Sequence, residues 1–184
     1  DITKNIERLD EFFLSNILSK NATGLHVLPS PRYLDNHPMP TPPIMETLLS
    51  LMKRKYDFIV IDLGQSINET ALKIVQLSTV VEIVTIQTLP CLSNAGRLIK
   101  SLLQYGYTDQ SHLHMVLNRF IKKGLVNLET AEEGLGQEIS WIIPNDYPTT
   151  MSAINSGTPL FETAPKSRIV KCFEEYAETL LPAK

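Results

Sequence analysis

The chain has 184 residues, of which 43% are hydrophobic and 20% charged, a composition typical of a soluble globular protein with room for a sizeable core. The formal net charge of -3 and the scattered basic residues give no general basic field, so we expect no nucleic-acid partner. The sequence has only two cysteines, and we see neither an apolar run of membrane-spanning length nor a signal peptide. These features favour a reducing cytoplasm over secretion.

The first third of the chain predicts two helices around a proline-rich loop. Apolar spacing indicates an amphipathic helix over residues 2–19 and a short strand over residues 25–28. The loop that follows holds half of the chain's prolines. Thr41 then suits the N-cap of the next helix and Pro42 suits its first position.

Strands and helices alternate through the rest of the chain. Ser66 and Glu69 fit a capping box for a helix that runs to about Leu77. The other predicted elements are strands at 57–62, 80–86, 113–118 and 139–143, and helices around 92–102, 128–135, 150–155 and 167–181.

This alternation predicts an α/β fold class, a parallel sheet flanked by helices, in a single domain over residues 1–184. The 57–62 strand is apolar along its length, which is typical of a strand buried on both faces. Ligands of such sheets bind outside the carboxyl ends of the strands, where Asp62, Asn118 and Asp146 fall. We therefore expect these three side chains to converge at one edge of one sheet.

Six phrases occur in order along the chain: Gly24–Leu28 before the proline-rich loop, Tyr56–Leu63, Leu89–Leu98, Val116–Arg119, Ile143–Asp146 and Asn155–Leu160. As an ordered set, rather than singly, they resemble the CpaE/TadZ-type pilus-assembly ATPases within the MinD/ParA (deviant Walker) P-loop class. In that pattern the first strand, the phosphate loop and the second strand precede residue 1. The chain also opens on Asp1 rather than methionine, so we expect a domain truncated at its amino end, a piece of a longer protein.

The resemblance implies a switch that uses ATP and Mg²⁺, forms a homodimer around the nucleotide and works with pilus or secretion machinery. It also implies a cytoplasmic protein with an indirect association with the inner membrane or the cell pole. However, no G-x-x-x-x-G-K-S/T run occurs in this chain. We therefore expect this chain itself to bind neither ATP nor Mg²⁺ and to show negligible hydrolysis, because phosphate charges would go unneutralised.

The resemblance gives Asp62, Gly64 and Gln65 roles on the phosphate side of the site. A carboxylate at the position of Asp62 orients Mg²⁺ or its waters, and the alternative is an aspartate that caps the next turn. Gly64 supplies backbone freedom beside the terminal phosphate and Gln65 orients water, whereas the alternative is a loop leading into a helix. The family commonly has proline after Asp62, and this chain has Leu63 instead.

The remaining candidates lie on the base side. Asn118 both donates and accepts hydrogen bonds and so can read adenine, although a turn-forming asparagine is the alternative. The resemblance places Arg119 beside it in the nucleotide site. Pro144 would pack on the base, with Asn145 and Asp146 bonding its edge, unless these residues serve turn chemistry alone.

Three functions remain open for the sequence. The first is an ATP-dependent switch for Tad/Flp-type pilus or secretion assembly, and the second is a non-catalytic scaffold with an ATPase fold. The third is a ParA/MinD-type partitioning or positioning ATPase. An unrelated doubly wound enzyme is disfavoured, because the chain has neither a glycine fingerprint nor a catalytic constellation. Loss of a central strand would expose an inner edge beside the 57–62 strand, so rearrangement or close dimerisation is expected.

Overall fold

The computed structural model describes residues 10–21, 23–29 and 40–181. The chain divides into two compact units, residues 1–78 (unit 1) and residues 79–184 (unit 2). The single domain expected for the whole chain stays a prediction. The predicted helix before residue 10 and most of the proline-rich loop lie outside the described residues.

Unit 1 contains three helices and a two-strand ladder within its described residues. The elements are α1 (Glu11–Ile17), β1 (Ser19–Lys20), β2 (His26–Val27), α2 (Pro42–Lys53) and α3 (Glu69–Leu77).

Unit 2 alternates strands and helices. The elements are β3 (Val81–Ile86), α4 (Leu89–Gln104), β4 (Leu113–Phe120), α5 (Leu128–Leu135), β5 (Trp141–Pro144), α6 (Tyr147–Ser156), α7 (Leu160–Thr163) and α8 (Arg168–Leu180).

Helices α2 and α3 pack on each other in unit 1. Helix α2 begins as predicted, with Thr41 at the N-cap and Pro42 at the first position, where a missing N–H costs nothing. A salt bridge joins the two helices, with Lys73 Nζ of α3 lying 3.1 Å from Glu46 Oε2 of α2. The buried apolar residues of this unit are Leu14, Leu48, Leu49, Ala71, Ile74 and Val75.

The predicted strand at 57–62 is wrong. No strand pairing forms there among the described residues, and Phe58 and Val60 are 53% and 96% exposed. An apolar run is buried as a strand only when neighbouring strands flank it. The described part of unit 1 offers only the ladder of β1 with β2, which pair in antiparallel fashion.

Two predicted boundaries in unit 1 are also wrong. The capping box fails because Asn68, not Ser66, caps α3: its Oδ1 accepts the N–H of Ala71 at 2.9 Å. Asparagine is as good an N-cap as serine, so the helix begins at Glu69. The predicted 2–19 helix ends at Ile17, because residues 19–20 pair with β2 instead.

The fold class is confirmed in unit 2, where the sheet is parallel with strand order β3-β4-β5. Three of the five predicted strands form this sheet, and the short strand predicted at 25–28 is β2 of unit 1. Strands β3 and β4 pair from Val81 with Leu113 to Ile86 with Asn118. Helix α8 contacts β5, α4 contacts β3, and α4 packs on α5, so helices flank the sheet.

Alternation along the strands builds the core on both faces of the sheet. One face contributes Val116 and Ile143, which cluster with Ile169 and Cys172 of α8. The opposite face contributes Met115 and Leu117, both fully buried. The carboxyl ends of all three strands point the same way, because the strands are parallel.

Candidate functional site

The first candidate segment lies where β4 ends. The pairing of β4 with β5 is irregular between Leu117 and Phe120, as in a β-bulge, and Asn118 and Arg119 occupy this irregularity. Arg119 has a φ of 54°, in the left-handed region that residues with side chains seldom adopt. Its backbone N–H donates to Asn118 Oδ1 at 2.8 Å. The Asn118 oxygen is thus engaged, while its NH₂ group has no recorded partner within the described residues.

The second segment lies where β5 ends. Pro144 is the last residue of β5, and Asp146 is the N-cap of α6, its Oδ1 accepting the N–H of Thr149 at 3.3 Å. The Thr150 hydroxyl also donates to the backbone oxygen of Asp146 at 2.8 Å. Asp146 therefore caps a helix, a role that neither the base-binding prediction nor its turn alternative had named, and its second carboxylate oxygen has no partner among the described residues.

These two segments share one edge of the sheet. Phe120 is in register with Pro144, and the N–H of Asn145 donates to the carbonyl oxygen of Phe120 at 3.0 Å. Asn118 and Asp146 therefore both lie at the carboxyl edge of the parallel sheet. Bound ligands of open α/β sheets occupy this edge.

Sequence reasoning missed one residue at this edge, Gln87, which follows β3. Its Nε2 donates to the carbonyl oxygens of Ile121, at 3.2 Å, and Val126, and its Oε1 accepts the N–H of Ile121 at 3.0 Å. A Cβ atom on Gly124 would lie 3.0 Å from Gln87 Nε2, so glycine permits this close approach. A polar residue directly after a buried strand, the signal used for Asn118, also marks Gln87.

Asp62, Gly64 and Gln65 belong to unit 1. The N–H of Gly64 donates to Asp62 Oδ1 at 2.9 Å, and Gly64 has a φ of 64°, so Asp62 closes the turn as its alternative role required. Both Asp62 and Gln65 are exposed. The convergence of Asp62 with Asn118 and Asp146 stays a prediction, as do the nucleotide-site roles of all these residues.

The residues present fit the base of a nucleotide better than its phosphates. The NH₂ group of Asn118 suits the edge of a purine, which both donates and accepts, whereas the N–H of Asn145 and the carbonyl oxygen of Asp146 already bond Phe120 and Thr150. The phosphate side lacks a glycine-rich cradle with its lysine anywhere in the sequence. The described residues also contain no cluster of three or more metal-ligating side chains. A single carboxylate such as Asp62 holds Mg²⁺ only together with phosphates and waters.

Comparison with known proteins agrees with this architecture. No protein-family model matches the chain. The septum site-determining protein MinD of Thermotoga maritima is 29% identical over 166 residues, which cover 88% of this chain and 60% of that protein. The chain therefore spans about 60% of the length of this curated relative.

Solved structures show the same fold. A ParA family ATPase from Chlorobium tepidum TLS matches 97% of this chain and 74% of its own, with 27% identity and a TM-score of 0.87. MinD from Pyrococcus horikoshii OT3, solved with Mg-ADP, matches 91% and 68% of the two chains, with 21% identity and a TM-score of 0.70. The MinC:MinD complex of Aquifex aeolicus contains a chain that matches all of this one and 75% of its own, with 21% identity and a TM-score of 0.76.

The fold of this chain is therefore that of the MinD/ParA-type P-loop ATPases. The Pyrococcus protein is complexed with Mg-ADP. The Aquifex protein is complexed with MinC. For this chain, binding of a nucleotide and of a partner protein is a proposal.

Proposed function

We propose that this chain forms the base-binding and switch-bearing part of a MinD/ParA-type ATPase that assembles or positions a Tad/Flp-type pilus or secretion system. The observation that carries the nucleotide role is the shared sheet edge, where the N–H of Asn145 bonds the carbonyl oxygen of Phe120 at 3.0 Å. That bond places the ends of β4 and β5, with Asn118 and Pro144, side by side. The pilus branch is supported by the six ordered phrases.

Four of the candidate residues have a task in this proposal. The Asn118 NH₂ group donates to a ring nitrogen of adenine, and Pro144 lies against the ring. In the intact ATPase Asp62 would hold Mg²⁺ through its waters, and Gln65 would orient a water molecule. When bound, the ion neutralises charge on the phosphates. ATP turnover requires a phosphate loop, which this sequence does not contain, so this chain alone is expected not to hydrolyse ATP.

The proposal extends to partners and location by analogy. The Aquifex MinD chain is assembled with MinC, so a protein partner is consistent with this fold. We place the protein in the cytoplasm, at its membrane or pole, as a homodimer bound to pilus or secretion proteins.

Base recognition can be tested on the 184-residue chain by adding adenosine, guanosine and ATP to ¹⁵N-labelled protein. The expected result is shifts of the amide signals at 118–120 and 144–146 with adenosine, weak binding with a Kd of about 1 mM, and a smaller response to guanosine. ATP should bind no more than about threefold tighter than adenosine, because no cradle receives its phosphates.

A matched pair of variants sharpens this test. Asn118→Ala should weaken adenosine binding by about three- to tenfold, the effect of one lost hydrogen bond. Asn155→Ala, on the exposed surface of α6, should leave binding unchanged. Equal effects of the two variants, or micromolar ATP affinity with turnover, would overturn the proposal. Dimerisation without adenosine binding would favour the non-catalytic scaffold instead.

A second candidate is a ParA/MinD-type partitioning or positioning ATPase, which the names of the matching proteins favour. The two candidates differ in the partner they bind. Co-purification of the tagged protein with a pilus or secretion component supports the first, and co-purification with a septum-site or partition protein supports the second.

A further inference from the structure

Helix α8 sets a tyrosine against the only tryptophan of the chain. The ring centroids of Trp141 and Tyr176 are 5.0 Å apart, and the two rings are inclined by 35°. This separation is that of aromatic side chains in direct contact. Both residues are partly buried, and Trp141 is the first residue of β5. An electron therefore has only a short distance to travel between the two rings.

The phenol of this pair has a proton acceptor. The hydroxyl of Tyr176 donates to Oε1 of Glu82 in β3. A carboxylate is a base as well as a hydrogen-bond acceptor, so it can take the phenolic proton. The hydroxyls of the other described tyrosines donate to no acceptor within the described part of the chain; these residues are Tyr56, Tyr105, Tyr107 and Tyr147. Tyr176 alone among them can lose an electron and its proton together.

The indole N–H of Trp141 meets a thiol that lacks such a base. It donates to Sγ of Cys172 at 3.3 Å, and the thiol in turn donates to the carbonyl oxygen of Ile142 at 3.3 Å. A carbonyl oxygen accepts a hydrogen bond but is too weak a base to keep the proton of an oxidised thiol. An electron lost from Trp141 is therefore replaced more readily by Tyr176 than by Cys172.

We propose that Tyr176 is the residue of this protein that one-electron oxidants modify, and that Trp141 directs the oxidation to it. In the first step the oxidant takes one electron from the indole of Trp141 and is itself reduced, which leaves an indole radical cation. In the second step Tyr176 gives one electron to that radical and its phenolic proton to Glu82. Trp141 is thereby restored, and Tyr176 becomes a neutral phenoxyl radical.

The oxidants that suit this sequence are the carbonate radical and nitrogen dioxide, which form together from peroxynitrite and carbon dioxide. The carbonate radical takes the electron of Trp141 and becomes carbonate. Nitrogen dioxide then combines with the phenoxyl radical at the ring carbon next to the oxygen, which forms a C–N bond. The hydrogen of that carbon moves to the phenolic oxygen, so the product is nitrotyrosine. Glu82 is exposed and returns its extra proton to solvent.

Solvent exposure by itself favours other tyrosines as the site of modification. Tyr105 and Tyr147 are 70% and 63% exposed, whereas Tyr176 is partly buried. Direct attack by a dissolved radical would therefore modify Tyr105 and Tyr147 first. Transfer through Trp141 reverses this order, so the pattern of modification distinguishes the two routes.

The first test treats the 184-residue chain with peroxynitrite in bicarbonate buffer at low conversion and locates nitrotyrosine by mass spectrometry of a digest. More nitration is expected at Tyr176 than at Tyr105 or Tyr147. Glu82→Gln keeps an acceptor oxygen but not a base, so nitration of Tyr176 should fall about tenfold, the effect of one hydrogen bond to a charged group. Glu174→Gln, at an exposed position of α8, is the matched control and should leave the nitration of Tyr176 unchanged.

Pulse radiolysis with azide gives a readout that a merely structural role of Tyr176 would not change. The azide radical takes one electron from Trp141, and the absorption of the indole radical should decay as that of the phenoxyl radical grows. This transfer should be independent of protein concentration and slower in heavy water, because a proton moves with the electron. In Tyr176→Phe, which keeps the ring contact, growth of the phenoxyl absorption should be lost, and peroxynitrite should oxidise Trp141 and Cys172 instead. Tyr147→Phe should behave as the wild-type chain does.

Three results would each overturn the proposal. They are nitration of Tyr105 or Tyr147 equal to that of Tyr176, equal nitration of Tyr176 in Glu82→Gln and the wild-type chain, and an indole radical that decays identically in Tyr176→Phe. Circular dichroism shows whether each variant folds, and the order of nitration in the wild-type chain is decisive without any variant. Failure of adenosine binding would leave these results unaffected, because Trp141 lies at the opposite end of β5 from the candidate nucleotide edge.

Discussion

Replacing Gln87 with alanine tests whether one side chain holds the 121–126 loop in place. Gln87 makes three hydrogen bonds to backbone groups of Ile121 and Val126. One hydrogen bond makes a net contribution of about 0.5–1.5 kcal/mol to stability. Because the two bonds to Ile121 are exposed, they should contribute at the low end of this range. The free energy of unfolding of unit 2 should therefore fall by about 2 kcal/mol. Urea unfolding followed by the fluorescence of Trp141, the only tryptophan, measures this change.

Amide hydrogen exchange locates the effect of Gln87. The N–H of Ile121 donates to Gln87 Oε1 and should exchange faster in Gln87→Ala. Gln87→Glu keeps an acceptor for Ile121 but sets a carboxylate against two carbonyl oxygens, so it should be at least as destabilising at neutral pH. Gln104→Ala, at the exposed end of α4, is the control and should change stability by less than about 0.5 kcal/mol. Unchanged exchange at Ile121 in Gln87→Ala would refute the reasoning.

Three further substitutions probe single interactions. Asn68→Ala removes the cap of α3 and should cost about 0.5–2 kcal/mol, seen as faster exchange at the Ala71 amide, whereas Asn68→Ser should retain most of the protection. Gly136→Ala puts a side chain at a φ of 68° and should cost about 1 kcal/mol in urea unfolding; an unchanged midpoint would contradict this. Burial, then the hydrogen bond to Glu82 and its charge, raise the pKa of Tyr176, so the unfolded state ionises first and stability should fall as pH rises above about 10. Tyr176→Phe should lose that alkaline dependence, and a dependence equal to wild type would show that Tyr176 is not its source.

Local signals in the sequence predicted the elements whose boundaries depend on local chemistry. Helix α5 occupies the predicted residues 128–135, and α2 begins at Pro42 because proline suits that position. The 57–62 prediction failed because burial of a strand depends on distant neighbours, and Val60 has none that covers it among the described residues. The position of Gln87 after β3 was a local signal that went unused, but its partners lie 34 and 39 residues further along the chain, and no local signal predicts them. At the candidate site the sequence placed Asn118 and Asp146 at strand ends but did not reveal that Asp146 caps α6.

Strand β3, rather than the 57–62 segment, offers the exposed edge that a close homodimer would use. Strand β3 lies at the edge of its sheet among the described strands, and Val84 in its centre is 57% exposed. An apolar edge strand pairs readily with another chain, and a lysine on such an edge opposes pairing. Val84→Lys should therefore shift the mass measured by light scattering from dimer toward monomer, whereas Ile154→Lys, at a comparably exposed position on α6, should not. A wild-type chain that stays monomeric at every concentration would show that this edge is not used for self-association.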